Sequence, residues 1–187
     1  LMVVRLSSER EGRLEASRSD RGCADNRKWF SSTMPCDNTG ADMSIHGVFC
    51  AAATPIDASG EIDTSRFIAH ARTLMADGCD GIALLGTTGE ANSFSISERR
   101  TLLEAAVAAG LDPDQLLPGT GLCALSDTIE LTRHALSLGV TKVVILPPFY
   151  YKNVTEDGVY DCYARIIEAI ADPRLQVILY HIPQMSA

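Results

Sequence analysis

The chain lacks what would mark a membrane protein, a zinc site or a nucleic-acid partner. No apolar run in its 187 residues reaches the roughly 20 needed to span a bilayer, and the first residues have no secretory pattern. Six cysteines are present, Cys23, Cys36, Cys50, Cys79, Cys123 and Cys162, but none forms a C-x-x-C pair. Structural zinc and thioredoxin-like redox chemistry therefore have no support. Cys50 and Cys79 sit in or beside apolar segments, where a thiol behaves as a small hydrophobe. We read a reducing cytoplasm and no disulfide framework. Basic residues are scarce, 16 against 24 acidic, and the net charge of −8 argues against a nucleic-acid footprint.

What is present divides near Met43. Residues 1–43 carry seven basic and seven acidic side chains, which leaves the whole −8 to residues 44–187. This opening stretch, with runs such as Arg18-Ser19-Asp20-Arg21, has no sustained period of 2 or 3.6 and few aliphatics after Leu14. It offers no strand-like segment and too little apolar area to offset its ordering entropy. We read residues 1–43 as an N-terminal extension, disordered or mistranslated, and residues 44–187 as the folded region.

From Ser44 apolar runs alternate with helical patterns. Val48–Ala53 is a strand ended by Thr54-Pro55, and Asp63 caps a helix through Phe67, Ala71, Leu74 and Met75. Gly81–Leu85 is a second strand. Ser95 and Glu98 form a capping box that opens a helix through Leu102, Leu103 and Ala106. Leu116–Gly119 is a third, weaker strand, and Asp127 with Glu130 opens the helix that stops at Gly139. Val143–Leu146 is the fourth strand, Gly158–Ile170 the fourth helix and Leu175–Tyr180 the fifth strand. Strands that are apolar throughout and alternate with helices imply a parallel sheet covered on both faces, either doubly wound or a (β/α) barrel.

In such folds chemistry collects at the C-terminal ends of strands. Here those ends read Thr54-Pro55, Gly86-Thr87-Thr88-Gly89-Glu90, Gly119-Thr120-Gly121, Pro148-Phe149-Tyr150-Tyr151 and Tyr180-His181-Ile182-Pro183. Functional residues scattered over several strands favour a barrel. The Gly86–Glu90 pentad can gather backbone N–H groups and two hydroxyls around a small anion; it can equally be a tight turn with a solvated threonine pair. We assign Glu90 to closing that turn or capping the next helix. Gly119-Thr120-Gly121-Leu122-Cys123-Ala124 superficially matches a dinucleotide fingerprint. The end of the next strand, Leu146-Pro147-Pro148, lacks the acidic residue that such a site needs. The phenols Tyr150, Tyr151 and Tyr180 either pack or, with a threonine hydroxyl, make a proton relay. Alternation turns His181 away from the centre, into a structural role.

Taken together and in order, these five motifs resemble the dihydrodipicolinate synthase / N-acetylneuraminate lyase family over residues 44–187. The resemblance implies an α/β fold, a (β/α)8 TIM barrel that is incomplete in this chain, with about five of its strands present and the C-terminal part missing. It implies a class I aldolase-like enzyme that joins a lysine to pyruvate or a related 2-keto acid as a Schiff base, needs no metal or organic cofactor, and assembles as a homotetramer or homodimer. By position, Thr87 and Tyr180 would belong to the proton relay, with Tyr180 the general acid/base. Tyr151 would complete the relay across a subunit boundary. Gly86 and Thr88 would hold the substrate carboxylate. Met185 stands where the synthase branch has an arginine that grips a second carboxylate, so the lyase and sugar-acid aldolase branches are the nearer likeness.

The Schiff-base lysine of the family lies one βα unit beyond Tyr180. The chain has only Lys28, Lys142 and Lys152, in the extension, at the bottom of a strand and on an open loop. None has the buried setting that makes a lysine nucleophilic at neutral pH. The expectation is an enzyme's front half without its nucleophile. Two alternatives stand beside it: a non-catalytic half-barrel that binds a keto acid or a partner, and a small flavodoxin-type module. For the latter, Thr54-Pro55-Ile56-Asp57 offers no phosphate cradle.

Overall fold

Local signals in the sequence start the helices where capping chemistry requires. In a computed structural model, which describes residues 2–4 and 45–182, the Asp63 carboxylate accepts from the Arg66 N–H and opens α1, Thr64–Ala76. Ser95 accepts from the Glu98 N–H while the Glu98 carboxylate accepts from the Ser95 N–H, a complete capping box ahead of α2, Ile96–Ala108. Hydrogen bonds from the Ser95 side chain and backbone hold the Glu98 carboxyl below its ordinary pKa. α3 is Leu125–Ser137, two residues longer at its start than Asp127 suggested. Thr128, not an N-cap side chain, takes up a loose donor there, the Leu122 N–H at 2.9 Å. α4 is Glu156–Ile170, again two residues longer, because Thr155 accepts from the Gly158 N–H and the acidic Glu156 and Asp157 suit a first turn.

Three of the four strands from the folded region are shorter than the apolar runs that announce them, and the one at Lys142–Ile145 keeps its expected length but starts one residue earlier. β2 is Phe49–Ala51, β3 Gly81–Ala83, β4 Lys142–Ile145 and β5 Gln176–Leu179. The expected third strand, Leu116–Gly119, is not a regular strand. It follows a 3-10 turn at Pro113–Gln115 and bridges two separate ladders, β2–β3 and β4–β5, through single pairings Ile82↔Leu116 and Gly119↔Val144. The physical reason is Pro118. Its neighbours' bonds, Val144 N–H to Pro118 O and Thr120 N–H to Val144 O, put the Pro118 nitrogen where a donor to Lys142 O belongs, and proline has none.

A second difference lies in the extension. Met2–Val4, here β1, pairs antiparallel with β5 in the register Met2↔Leu179 to Val4↔Val177, so the stretch does supply a strand. Two β-branched valines favour extended backbone, but three residues are too few to show alternation in a sequence. The rest of the reading of residues 1–43, and Met185, lie outside the described residues.

Along the sheet the order is therefore β2, β3, the 116–119 segment, β4, β5 and β1. Sequential parallel strands with right-handed crossovers put α1 to α4 on one face. Phe67, Leu102, Ala135 and Ile166 from those helices meet Ile82, Leu84, Val143 and Ile145 in one buried core. Side chains stitch the helices in sequence: Arg72 Nη2 to Ala109 O at 2.8 Å, Arg100 to Glu130 at 3.1 Å and His134 to Glu104 at 2.7 Å. The expectation of a sheet covered on both faces holds only in part: on the face away from the helices Ile178 is buried, whereas Ala83 and Val144 are half-buried. β4 alternates half-buried and buried residues, and the face away from the helices stays partly open. The described residues form the wall of a barrel without closing it.

β2 is the exposed end of that wall: among the described residues its only strand partner is β3, and Val48 beside it is 64% exposed. An apolar edge with unpaired backbone groups is a template for association. We expect the 187-residue chain to associate with rising concentration in light scattering, and Val48→Lys to reduce that association without moving the thermal midpoint. Equal scattering by the two proteins would place the association elsewhere.

Candidate functional site

The site begins with a backbone turn. Gly119 N–H donates to Leu84 O at 2.9 Å, continuing the β3 ladder by one residue, and Leu85 then adopts φ +54°. A left-handed leucine costs about 1–3 kcal/mol and persists only where its surroundings enforce it. The turn lifts the chain out of the sheet and lays Gly86–Glu90 across the strand ends. Glu90 N–H to Thr87 O (3.1 Å) and Ala91 N–H to Gly86 O (3.2 Å) close the pentad, and the Thr54 hydroxyl donates to Gly89 O at 2.7 Å. Glu90 closes the turn through its backbone. Its side chain makes no capping bond to the following 3-10 turn, Ala91–Ser93, contrary to the expected cap.

The Gly119-Thr120-Gly121 glycines are there for close approach between strands. A Cβ on Gly119 would lie 2.2 Å from Leu85 O, and one on Gly121 would lie 2.5 Å from Leu146 N and O. This accounts for the motif without a dinucleotide. Thr120 between them is buried, its hydroxyl 3.0 Å from that of Thr132. From α2, Arg99 Nη2 donates to Gly119 O at 2.7 Å. Tyr163 on α4 donates to Ile145 O at 3.0 Å and fixes the end of β4; burial raises its phenol pKa well above the ordinary value.

Two adjoining hollows of about 160 and 150 Å³ open at these strand ends, and Gly86, Thr87, Gly119 and Tyr180 line both. Thr88 lines the second, while Glu90, Asn92 and Ser93 line the first. At about 30 Å³ per water, each has room for a molecule of a few heavy atoms. The structure thus brings together four of the six residues singled out in the sequence: Gly86, Thr87, Thr88 and Tyr180. Tyr151 is not among them. It stands on the β4–α4 loop, 74% exposed, edge-to-face with the equally exposed Tyr150 at 5.1 Å between ring centroids. The three phenols do not converge within one chain. His181 is exposed.

No described lysine reaches the hollows. Lys142 Nζ donates to Asp114 O at 3.0 Å, at the opposite end of β4, and Lys152 lies on the exposed β4–α4 loop. Among the described residues no three His, Cys, Asp or Glu side chains gather as they would around a metal ion, and no helix is long and apolar enough to cross a membrane. Sequence reasoning passed over Arg99, Asn92 and Ser93. For Arg99 the signal existed: it shares the α2 face of Leu102, Leu103 and Ala106, three, four and seven residues on, which is the buried face.

Residues 44–187 match the model of the dihydrodipicolinate synthetase family. An uncharacterized DapA-like lyase of Chloroflexus aurantiacus is 39% identical over 142 residues, 75% of this chain and 46% of the relative. A crystal structure of dihydrodipicolinate synthase from Agrobacterium tumefaciens superposes with a TM-score of 0.72 at 32% identity, over 75% of this chain and 49% of that one. The N-acetylneuraminate lyase of Proteus mirabilis gives 0.66 at 32%, over 75% and 47%. The chain spans about half the length of the curated relatives it matches.

The Thr54–Gly89 bond ties the pentad to the end of the first parallel strand. Thr54→Val keeps the shape and removes the donor, and we expect it to cost about 1 kcal/mol in denaturant unfolding. Amide exchange should quicken at residues 86–90 more than elsewhere; uniform quickening would show that the bond serves only global stability.

Proposed function

The chain belongs to the dihydrodipicolinate synthetase family, and from that membership we propose that it forms the front part of a lyase or aldolase that makes or breaks a carbon–carbon bond of a pyruvate-type 2-keto acid. The observation that carries the reading is the shared lining of the strand-end hollows by Gly86, Thr87 and Tyr180, with Thr88 beside them.

The chemistry asks for three things. An amine must condense with the keto carbon, expelling water and leaving an imine that draws electrons from the neighbouring bond. We assign that amine to a lysine one βα unit beyond Tyr180, in place of Lys28, Lys142 or Lys152. The carboxylate must be held so that the keto carbon faces the amine, the part assigned to Thr88, Gly86 and the backbone N–H groups of the pentad. A proton must move to or from the oxygen at the breaking bond, the part assigned to the Tyr180 phenol with the Thr87 hydroxyl as its neighbour, since each both donates and accepts. The exposed Tyr151 completes the relay by reaching a neighbouring subunit in a homotetramer or homodimer; its exposure in one chain supports that reading. Met185 lacks the guanidinium that would pair a second carboxylate, which supports a hydroxylated 2-keto acid over aspartate semialdehyde as substrate.

Borohydride with pyruvate tests the lysine. The 187-residue chain should show no trapped adduct, whereas a chain extended by a strand with a central lysine should gain one stoichiometric adduct there. Trapping on Lys142 or Lys152 would refute the assignment. In the extended chain Tyr180→Phe should lower turnover about 10²–10⁴-fold, the span of general acid/base catalysis, and near-normal turnover would remove Tyr180 from the relay. Parallel kinetics with a hydroxylated 2-keto acid and with aspartate semialdehyde should favour the former, and a preference for the semialdehyde would reverse the branch.

A further inference from the structure

Among the described residues Arg99 is the one buried side chain whose charge the fold leaves without a counter-ion. It is 2% exposed, and its hydrogen bond is the one from Nη2 to Gly119 O. Its Nε and Nη1 have no hydrogen-bond partner, and no carboxylate among the described residues lies within ion-pair distance. Burial lowers its pKa to about 10, so it stays cationic at neutral pH. Buried guanidinium groups are ordinarily paired, and an unpaired one in a chain of net charge −8 calls for a reason.

Ladder geometry supplies the reason. In a parallel pair the N–H and C=O of one residue face the same neighbour. Gly119 N–H donates to Leu84 O, so Gly119 O faces the place where Gly86 N–H would arrive had β3 continued straight. Leu85 turns the chain away, and the guanidinium occupies that place, directly under the turn that becomes the pentad.

We propose that Arg99 is a positioning residue of the strand-end site: it holds the Gly119 carbonyl in the vacated ladder position, and its uncompensated charge makes the hollow lined by Thr88 and Gly119, where no carboxylate is among the lining residues, select a small carboxylate over a neutral molecule of the same shape. The inference rests on the keto-acid reading and deepens it by assigning the origin of the anion preference. Charge beneath the backbone N–H groups adds to them without competing for the ligand's own contacts, and low dielectric strengthens it.

Saturation-transfer NMR on the intact 187-residue chain, with acetate and acetamide as probes, tests this at micromolar protein. Wild type should prefer acetate, and the preference should shrink as chloride rises. Arg99→Lys keeps the charge and should stay within about threefold. Arg99→Met should lose acetate affinity about tenfold, or about 1.4 kcal/mol, and leave acetamide unchanged. Acetate binding by Arg99→Met at the wild-type level, or a wild type indifferent between the probes, would overturn the proposal. If Arg99→Met does not fold, the chloride dependence of wild type and Arg99→Lys decides alone. The keto-acid reading stands or falls separately: pyruvate trapping in the extended chain by a site indifferent to acetate refutes Arg99's role only, and acetate selection without trapping refutes the lysine chemistry only.

Discussion

At Leu85 the β3 backbone turns left-handed, and much of the site is a response to that one dihedral angle. Once the chain leaves the sheet there, the pentad lies over the strand ends and needs an anchor, which Thr54 gives it at Gly89. The turn brings Leu85 O against the neighbouring segment so closely that residue 119 can carry no side chain. It also empties one ladder position, and Arg99 reaches in from α2 to occupy it. Thr54, Gly119 and Arg99 come from three separate elements, yet each is answerable to the same departure of backbone from sheet. A strained residue fits a binding site for this reason: the surroundings that enforce the strain also hold the surrounding groups still.

The open face follows a different logic. Four helices on one side bury the outward residues of the parallel strands, which is enough to form a continuous core. Several inward residues, among them Ala51, Ala83, Val144 and Tyr180, are less deeply covered, although Ile178 on the same face is buried. The relatives that the chain matches are about twice as long. The half-burial of this face is thus compatible with a wall built to be completed, and it leaves the strand-end hollows shallow.

Much of this was legible in the sequence wherever a signal was local. Asp63, the Ser95–Glu98 box and the apolar spacing of α1 and α2 act within one turn of helix, so element type and boundary could be read together. The pentad and the paired glycines were likewise visible as motifs, because tight turns restrict residue type. What the sequence concealed depended on partners far along the chain. Pro118 looked compatible with a strand end until its register against Lys142 showed which bond it removes. Glu90 looked like a cap because its position was right, but it closes the turn through its backbone N–H and its side chain makes no capping bond. Arg99 disappeared into a helix pattern in which a charged residue on the apolar face is easily taken for a surface one. Tyr151 shared the strand-end pattern of the site residues, and only the path of the β4–α4 loop separated it from them.

Pro118 carries a consequence beyond the shape of the sheet. With one donor missing, the β2–β3 and β4–β5 ladders communicate through a few backbone bonds around residues 116–120 and through the helix layer. Cooperative opening follows such lines of weakness, so the molecule has a seam, with α1 and α2 on one side and α3 and α4 on the other. The strand-end hollows straddle it: Gly86 and Thr87 belong to one bank, Val144 and Tyr180 to the other. A small molecule that bridges both banks would act as a clasp, and its arrival would register as slower breathing of the whole wall as well as occupancy of a pocket.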